Sequence, residues 1–117
     1  MDKIQEILDN LNRDNVSIDD IEKFLASGNI LIKVNAIMAI IRLNIHDDKI
    51  IQKLSQIAQN IDNEPRVIGI WNGGHFALAA LKFLNTEKSE TQYKQISAGL
   101  KEPQQEAVER LLIKWPQ

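Results

Sequence analysis

Two stretches of the chain hold side chains able to do chemistry. His75 follows Trp71-Asn72-Gly73-Gly74. At a helix start, Gly73 and Gly74 leave backbone N–H groups accessible, and together with His75 they form a candidate cradle for a phosphate or carboxylate. Alternatively, Asn72 caps the helix, the glycines allow tight passage under Trp71, and His75 bonds a neighbour. The second stretch, His46-Asp47-Asp48, offers imidazole and carboxylates, but three consecutive residues rarely converge on one ion. A solvated turn whose acids suit the start of the next helix accounts for it. No motif brings a second reactive group to His75, so no catalytic residue, metal ligand or cofactor is expected.

Other residues suit recognition. Trp71 lies beside a loop, where tryptophan serves partner surfaces as well as cores, whereas Trp115 is in phase with Leu111 and Leu112 and belongs to the core. Asp19, Asp20 and Glu22 form an acidic run with Asp14 nearby, and Asp62 with Glu64 makes a second acidic point. Such runs face solvent or a basic partner. Asp19, Asp20, Glu22, Asp62, Glu64 and Trp71 are therefore the candidate partner-binding residues.

The whole chain has a net charge of −2, and residues 1–28, 29–84 and 85–117 carry −4, +2 and 0. That balance speaks against a dedicated nucleic-acid binder, which must neutralise many phosphates. The absence of cysteine excludes disulfides, thiolate metal sites and a cysteine nucleophile. At 117 residues one domain spanning 1–117 is expected, large enough for a hydrophobic core without metal or disulfide support. The mixed charges of Met1-Asp2-Lys3-Ile4-Gln5-Glu6 are unlike a signal peptide, so a cytoplasmic protein is expected.

The elements that must position these residues all read as helices, about six to seven of them. Lys3–Asn12 carries the stripe Ile4, Ile7, Leu8, Leu11, with Asp2 as its cap. Ser17 with Asp20 resembles a capping box for a second helix, with the stripe Ile18, Ile21, Phe24, Leu25 and Gly28 as the left-handed residue ending it. Asn29 then caps a nearly all-apolar helix to Leu43. Lys33 and Asn35 within it argue against a membrane span, and we expect the rest of the chain to pack around it. A fourth helix, started by Asp47 or Asp48, buries Ile50, Ile51, Leu54, Ile57 and Ala58 and turns Lys49, Gln52, Lys53, Gln56 and Asn60 outward.

Beyond the loop at Ile61–Pro65, Arg66–Trp71 before Asn72-Gly73 resembles the first arm of a hairpin. The Ala- and Leu-rich segment His75–Leu84 reads as helix, however, which leaves Arg66–Trp71 as a short turn or loop plugging the core. Ser89, with Gln92 in the capping-box position, starts a helix over Glu90–Ala98 that ends near Gly99. The last helix begins at Pro103 and stops at Pro116.

A shift of 41 residues lays Ala36-Ile37-Met38-Ala39-Ile40 on Ala77-Leu78-Ala79-Ala80-Leu81, and Leu43-Asn44 on Leu84-Asn85. With one more residue in the turn, Ile51, Leu54 and Ser55 correspond to Tyr93, Ile96 and Ser97. From Asn29 to Leu112 the chain thus resembles the HEAT or armadillo-like helical-repeat family. The resemblance implies an all-α stack of antiparallel helical hairpins that works through its surface. In size, acidity and fold type the chain also looks like the small bacterial immunity proteins that neutralise polymorphic toxins, including those of contact-dependent growth inhibition. That likeness implies a stoichiometric inhibitor whose partner is a cognate toxin domain, a basic nuclease among the candidates, with neither nucleic acid nor membrane as partner. The alternatives are a HEAT-like nucleic-acid or small-ligand binder, or a structural adaptor or dimerising module.

Overall fold

The computed structural model describes residues 3–63, 66–68 and 71–115. Within them the chain forms seven helices and one short strand pair: α1 (Lys3–Leu11), α2 (Ile18–Leu25), α3 (Ile30–Leu43), α4 (Asp48–Gln59), β1 (Arg66–Ile68), β2 (Trp71–Asn72), α5 (Gly73–Leu84), α6 (Glu87–Ala98) and α7 (Glu102–Lys114). One apolar cluster draws on all seven helices. No helix among the described residues is long and apolar enough to cross a membrane.

The helix at the centre is α5, not α3. Residues 76–81 are at most 3% exposed, and α5 packs against α3, α4, α6 and α7. Ala77, Ala79 and Ala80 explain the difference, because small side chains on several faces let neighbouring helices approach closely. On α3 the bulkier Leu31 and Met38 remain 45% and 41% exposed. Further packing joins α1 to α3, α2 to α3 and α4, α4 to α6, and α3 to β1.

Local capping follows the sequence in some places and departs from it in others. Asn29 Oδ1 accepts the N–H groups of Leu31 and Ile32 at 3.0 and 3.2 Å, and Ser17 Oγ accepts that of Asp20 at 3.1 Å. Gly28, by contrast, is not the left-handed residue that ends α2. The helix stops at Leu25 and tightens through right-handed Ala26, whose N–H reaches the carbonyl of Lys23 while that of Ser27 reaches the carbonyl of Phe24. Ile18, expected in the α2 stripe, is 41% exposed at the first position of that helix.

The sixth helix starts one turn earlier than expected. Thr86 is its cap, and Ser89 is the third helical residue: Thr86 Oγ1 accepts the Ser89 N–H while Ser89 Oγ accepts the Thr86 N–H. A search for Glu or Gln in that place passes over serine, which is short enough to close the same reciprocal pair when buried. Arg66–Trp71 is also corrected. Arg66–Ile68 and Trp71–Asn72 pair antiparallel with an irregular register, so backbone pairing replaces the expected turn or loop, on the N-terminal side of Asn72-Gly73 rather than across it. The expected roles of Asp2, Glu64, Pro65, Gly69, Ile70 and Pro116 fall outside the described residues.

The 41-residue correspondence has a backbone counterpart. Asn44 and Asn85, which it superimposes, both adopt left-handed conformations (φ 53°, ψ 48° and φ 53°, ψ 35°) and end α3 and α5. Among the described non-glycine residues no other has positive φ. Asparagine tolerates this region better than other residues with a Cβ. Replacing Asn85 with alanine should cost about 1 kcal/mol through left-handed strain, whereas glycine should be nearly neutral. Urea unfolding at unchanged slope would measure both, and an alanine variant as stable as the glycine one would contradict the argument.

Candidate functional site

At the start of α5 the Asn72 side chain takes the place that an anion would need. Its Oδ1 accepts the N–H groups of Gly74 and His75 at 2.8 and 3.2 Å, while Nδ2 donates to the Ile61 carbonyl at 2.6 Å. The backbone N–H of Asn72 donates in turn to His75 Nδ1 at 2.9 Å. The acceptor role of Nδ1 puts the imidazole proton on Nε2, facing Gln104 Oε1 at 2.6 Å, and Gln104 Nε2 donates to Asp62 Oδ1 at 2.9 Å. Asn72 and His75 are buried at 5% and 2% exposure. Gly73 and Gly74 are buried as well, and a Cβ on Gly74 would lie 2.7 Å from the Ile61 Cα. Gly73, Gly74 and His75 therefore sit in a closed hydrogen-bonded joint that ties α4, α5 and α7 together.

Trp71 belongs to the same joint. Its ring is half-buried, Nε1 donates to the Ala107 carbonyl at 2.9 Å, and Lys114 Nζ lies 5.8 Å from the ring centroid. Trp115 packs edge-on against Phe76 and Phe83, with centroids 5.1 and 5.6 Å away.

The candidate acids are not gathered on one surface. Asp20 is half-buried and accepts from Asn10 Nδ2 of α1 at 3.3 Å, Glu22 pairs with Lys53 of α4 at 3.8 Å, and Asp19 is exposed. Asp62 binds Gln104, and Glu64 lies outside the described residues. The nearby Asp14 pairs with Arg42, whose Nη2 donates to the carbonyls of Leu11 and Arg13 at 2.9 and 3.1 Å. His46 is exposed, and Asp48 forms a 2.7 Å ion pair with Lys88 of α6. Among the described residues no three histidine, aspartate or glutamate side chains could hold a metal ion together.

An open groove between α4 and α6, about 460 Å³ in volume, begins at that ion pair. Its floor is Ile51 and Ser55, and its walls are Gln52, Gln56 and Gln59 of α4 and Gln92 of α6. Beyond Gln59 the depression continues past Gln95, Gly99 and Leu100. The spacing explains the pattern: 52, 56 and 59 share one helical face, as do 88, 92 and 95. Packing of α4 on α6 sets the two rows opposite each other.

Carboxamides donate and accept but do not ionise, so the groove is suited to binding neutral polar groups. Ser55, on its floor, donates Oγ–H to the Ile51 carbonyl at 2.8 Å. From the sequence, Gln52 and Gln56 read only as outward-facing. Their spacing was legible, but the facing row on α6 depends on tertiary packing.

Beyond the groove, on α6, burial pushes the Tyr93 phenol above its ordinary 10.0, with the Lys82 ammonium opposing. A folded-state value above the unfolded one favours the fold below about pH 10, a contribution lost as pH rises through the folded value. Ultraviolet titration should place Tyr93 ionisation above that of free tyrosine, and Lys82→Met should raise it further. A midpoint at the free value would contradict the burial. For the joint, Gly74→Ala should destabilise by about 1–3 kcal/mol, because its contact is backbone and cannot swing aside. Thermal unfolding would show a variant that melts with the parent if that contact were relaxed. Compared with known families, curated proteins and solved structures, the chain matches none.

Proposed function

We propose that the chain is a protein-binding module, built as a short two-layer stack of helical hairpins, that receives its partner along the α4–α6 groove. Two facing rows of carboxamides carry this proposal. Their side chains are not engaged by other described residues, and each offers donor and acceptor together, as an exposed peptide group on a partner requires. Support for the stack comes from packing order. Helices α1, α3, α5 and α7 touch in succession, α2, α4 and α6 do the same, and α2–α3, α4–α5 and α5–α6 contacts join the rows. Helical-hairpin repeats bury one another's apolar faces through this alternation.

In its narrower form the proposal is an immunity-type inhibitor acting in the cytoplasm, one copy occupying one cognate toxin domain. The net charge of −2 and exposed Asp19 are compatible with attraction of a basic partner, while the neutral groove would supply the directional hydrogen bonds.

Capture of a partner from the producing cell, followed by titration calorimetry, should give a one-to-one complex. Gln56→Ala combined with Gln92→Ala should weaken it by about tenfold or more, since two neutral hydrogen bonds contribute roughly 1 kcal/mol each. Charge reversal at Asp19 and Glu22 should change the association rate and salt dependence more than the dissociation rate. The opposite pattern, with the amide variant binding normally and charge reversal abolishing the complex, would move the partner from the groove to α2.

A further inference from the structure

We infer that Asn72-Gly73 is a latent deamidation site that the fold keeps shut, and that its conversion to the acid bars the chain from refolding. The sequence contains nine other asparagines, and none of them precedes glycine. Glycine matters because a residue without Cβ leaves its nitrogen unhindered and its backbone free to reach the cyclising geometry.

In an unfolded chain the deprotonated Gly73 nitrogen attacks Asn72 Cγ, a new C–N bond forms, and Nδ2 leaves as ammonia. Water then opens the resulting succinimide at one carbonyl to give aspartate, or at the other to give isoaspartate. Aspartate carries a carboxylate where the carboxamide stood, whereas isoaspartate runs the main chain through that carbon and carries its carboxylate on Cα. The reaction needs no reagent beyond water and hydroxide.

Folding removes each requirement. Asn72 is 5% exposed, Gly73 is buried, and the carboxamide is held by the Gly74 and His75 N–H groups on one side and the Ile61 carbonyl on the other. Cyclisation would have to break all three bonds. The products also meet a site built for an amide. Aspartate could still cap α5 through one oxygen, but its second oxygen would face the Ile61 carbonyl, which receives an N–H at 2.6 Å in the native chain. Two acceptors would then oppose each other in a buried place, one of them charged. Isoaspartate adds a methylene to the main chain between Asn72 and Gly73. The Asn72 N–H would then lose its register with His75 Nδ1, and β2 its register with α5.

The experiment holds the protein in guanidinium chloride at mildly alkaline pH beside a folded control in the same buffer without denaturant. Samples are withdrawn over time, mapped by peptide mass spectrometry, and diluted to measure the refolded fraction by near-ultraviolet circular dichroism of the tryptophans. In the denatured arm, amide-to-acid conversion should be fastest at residue 72, and the refolded fraction should fall in step with it. The folded arm should convert on the order of a thousandfold more slowly or less, because only the transiently unfolded population reacts. Comparable conversion in both arms would overturn the protection, and full refolding of converted chains would overturn the bar. Asn72→Asp tests the product directly: a lower denaturant midpoint or failure to fold supports the inference, and parental stability refutes it.

Discussion

The Asn72 carboxamide is gripped from both ends, by two N–H groups of α5 and by the carbonyl of Ile61, and the packing of α5 depends on that grip. Without Oδ1 the first turn of α5 would leave donors unpaired in a buried place, and without Nδ2 the Ile61 carbonyl would lose its donor. Gly74 fits because Ile61 has come so near that a Cβ has no room. His75 passes the constraint to Gln104 and Asp62, so the start of α7 is positioned by the same joint. Since α5 touches α3, α4, α6 and α7, one polar side chain fixes the element on which four other helices are seated.

Much of this architecture was legible in the residues. Alternating apolar stripes, the caps at Ser17 and Asn29, and the shift that lays Leu43-Asn44 on Leu84-Asn85 all reappear as structure, the last as two left-handed helix ends. The departures share a cause. Replacing the expected turn or loop at Arg66–Ile68 by strand pairing, exchanging Ser89 for Thr86 as cap, and moving the centre from α3 to α5 each required tertiary information, because the deciding partner lies in another element or in the degree of burial. The candidate acids follow the same logic. Asp19, Asp20 and Glu22 are neighbours in sequence, but helical geometry sends them to solvent, to α1 and to α4.

The groove between α4 and α6 shows why uncharged residues make a distinct kind of surface. Several ionic side chains on this molecule find opposite charges nearby, as Asp48 does with Lys88 and Glu22 with Lys53, and such exposed pairs contribute little to stability. Glutamine on an exposed helical face has no local charge to satisfy. Its amide can face outward without the desolvation cost that an unpaired ion would incur on contact with a partner. Two such rows facing each other offer direction without net charge.

Several side-chain ties in the molecule run backwards along the chain. Arg42 reaches the carbonyls of Leu11 and Arg13, Asn72 that of Ile61, Gln104 the carboxylate of Asp62, and Gln105 the carbonyls of Ser97 and Leu100. In each case the acceptor is made before the donor. On a translating ribosome adding roughly 5–20 residues per second, α1 is therefore complete for about two to six seconds before the guanidinium that seals its carbonyl end, 31 residues later, has been synthesised. These ties are fastened in the order of synthesis, each knot closed by a donor that emerges after its acceptor.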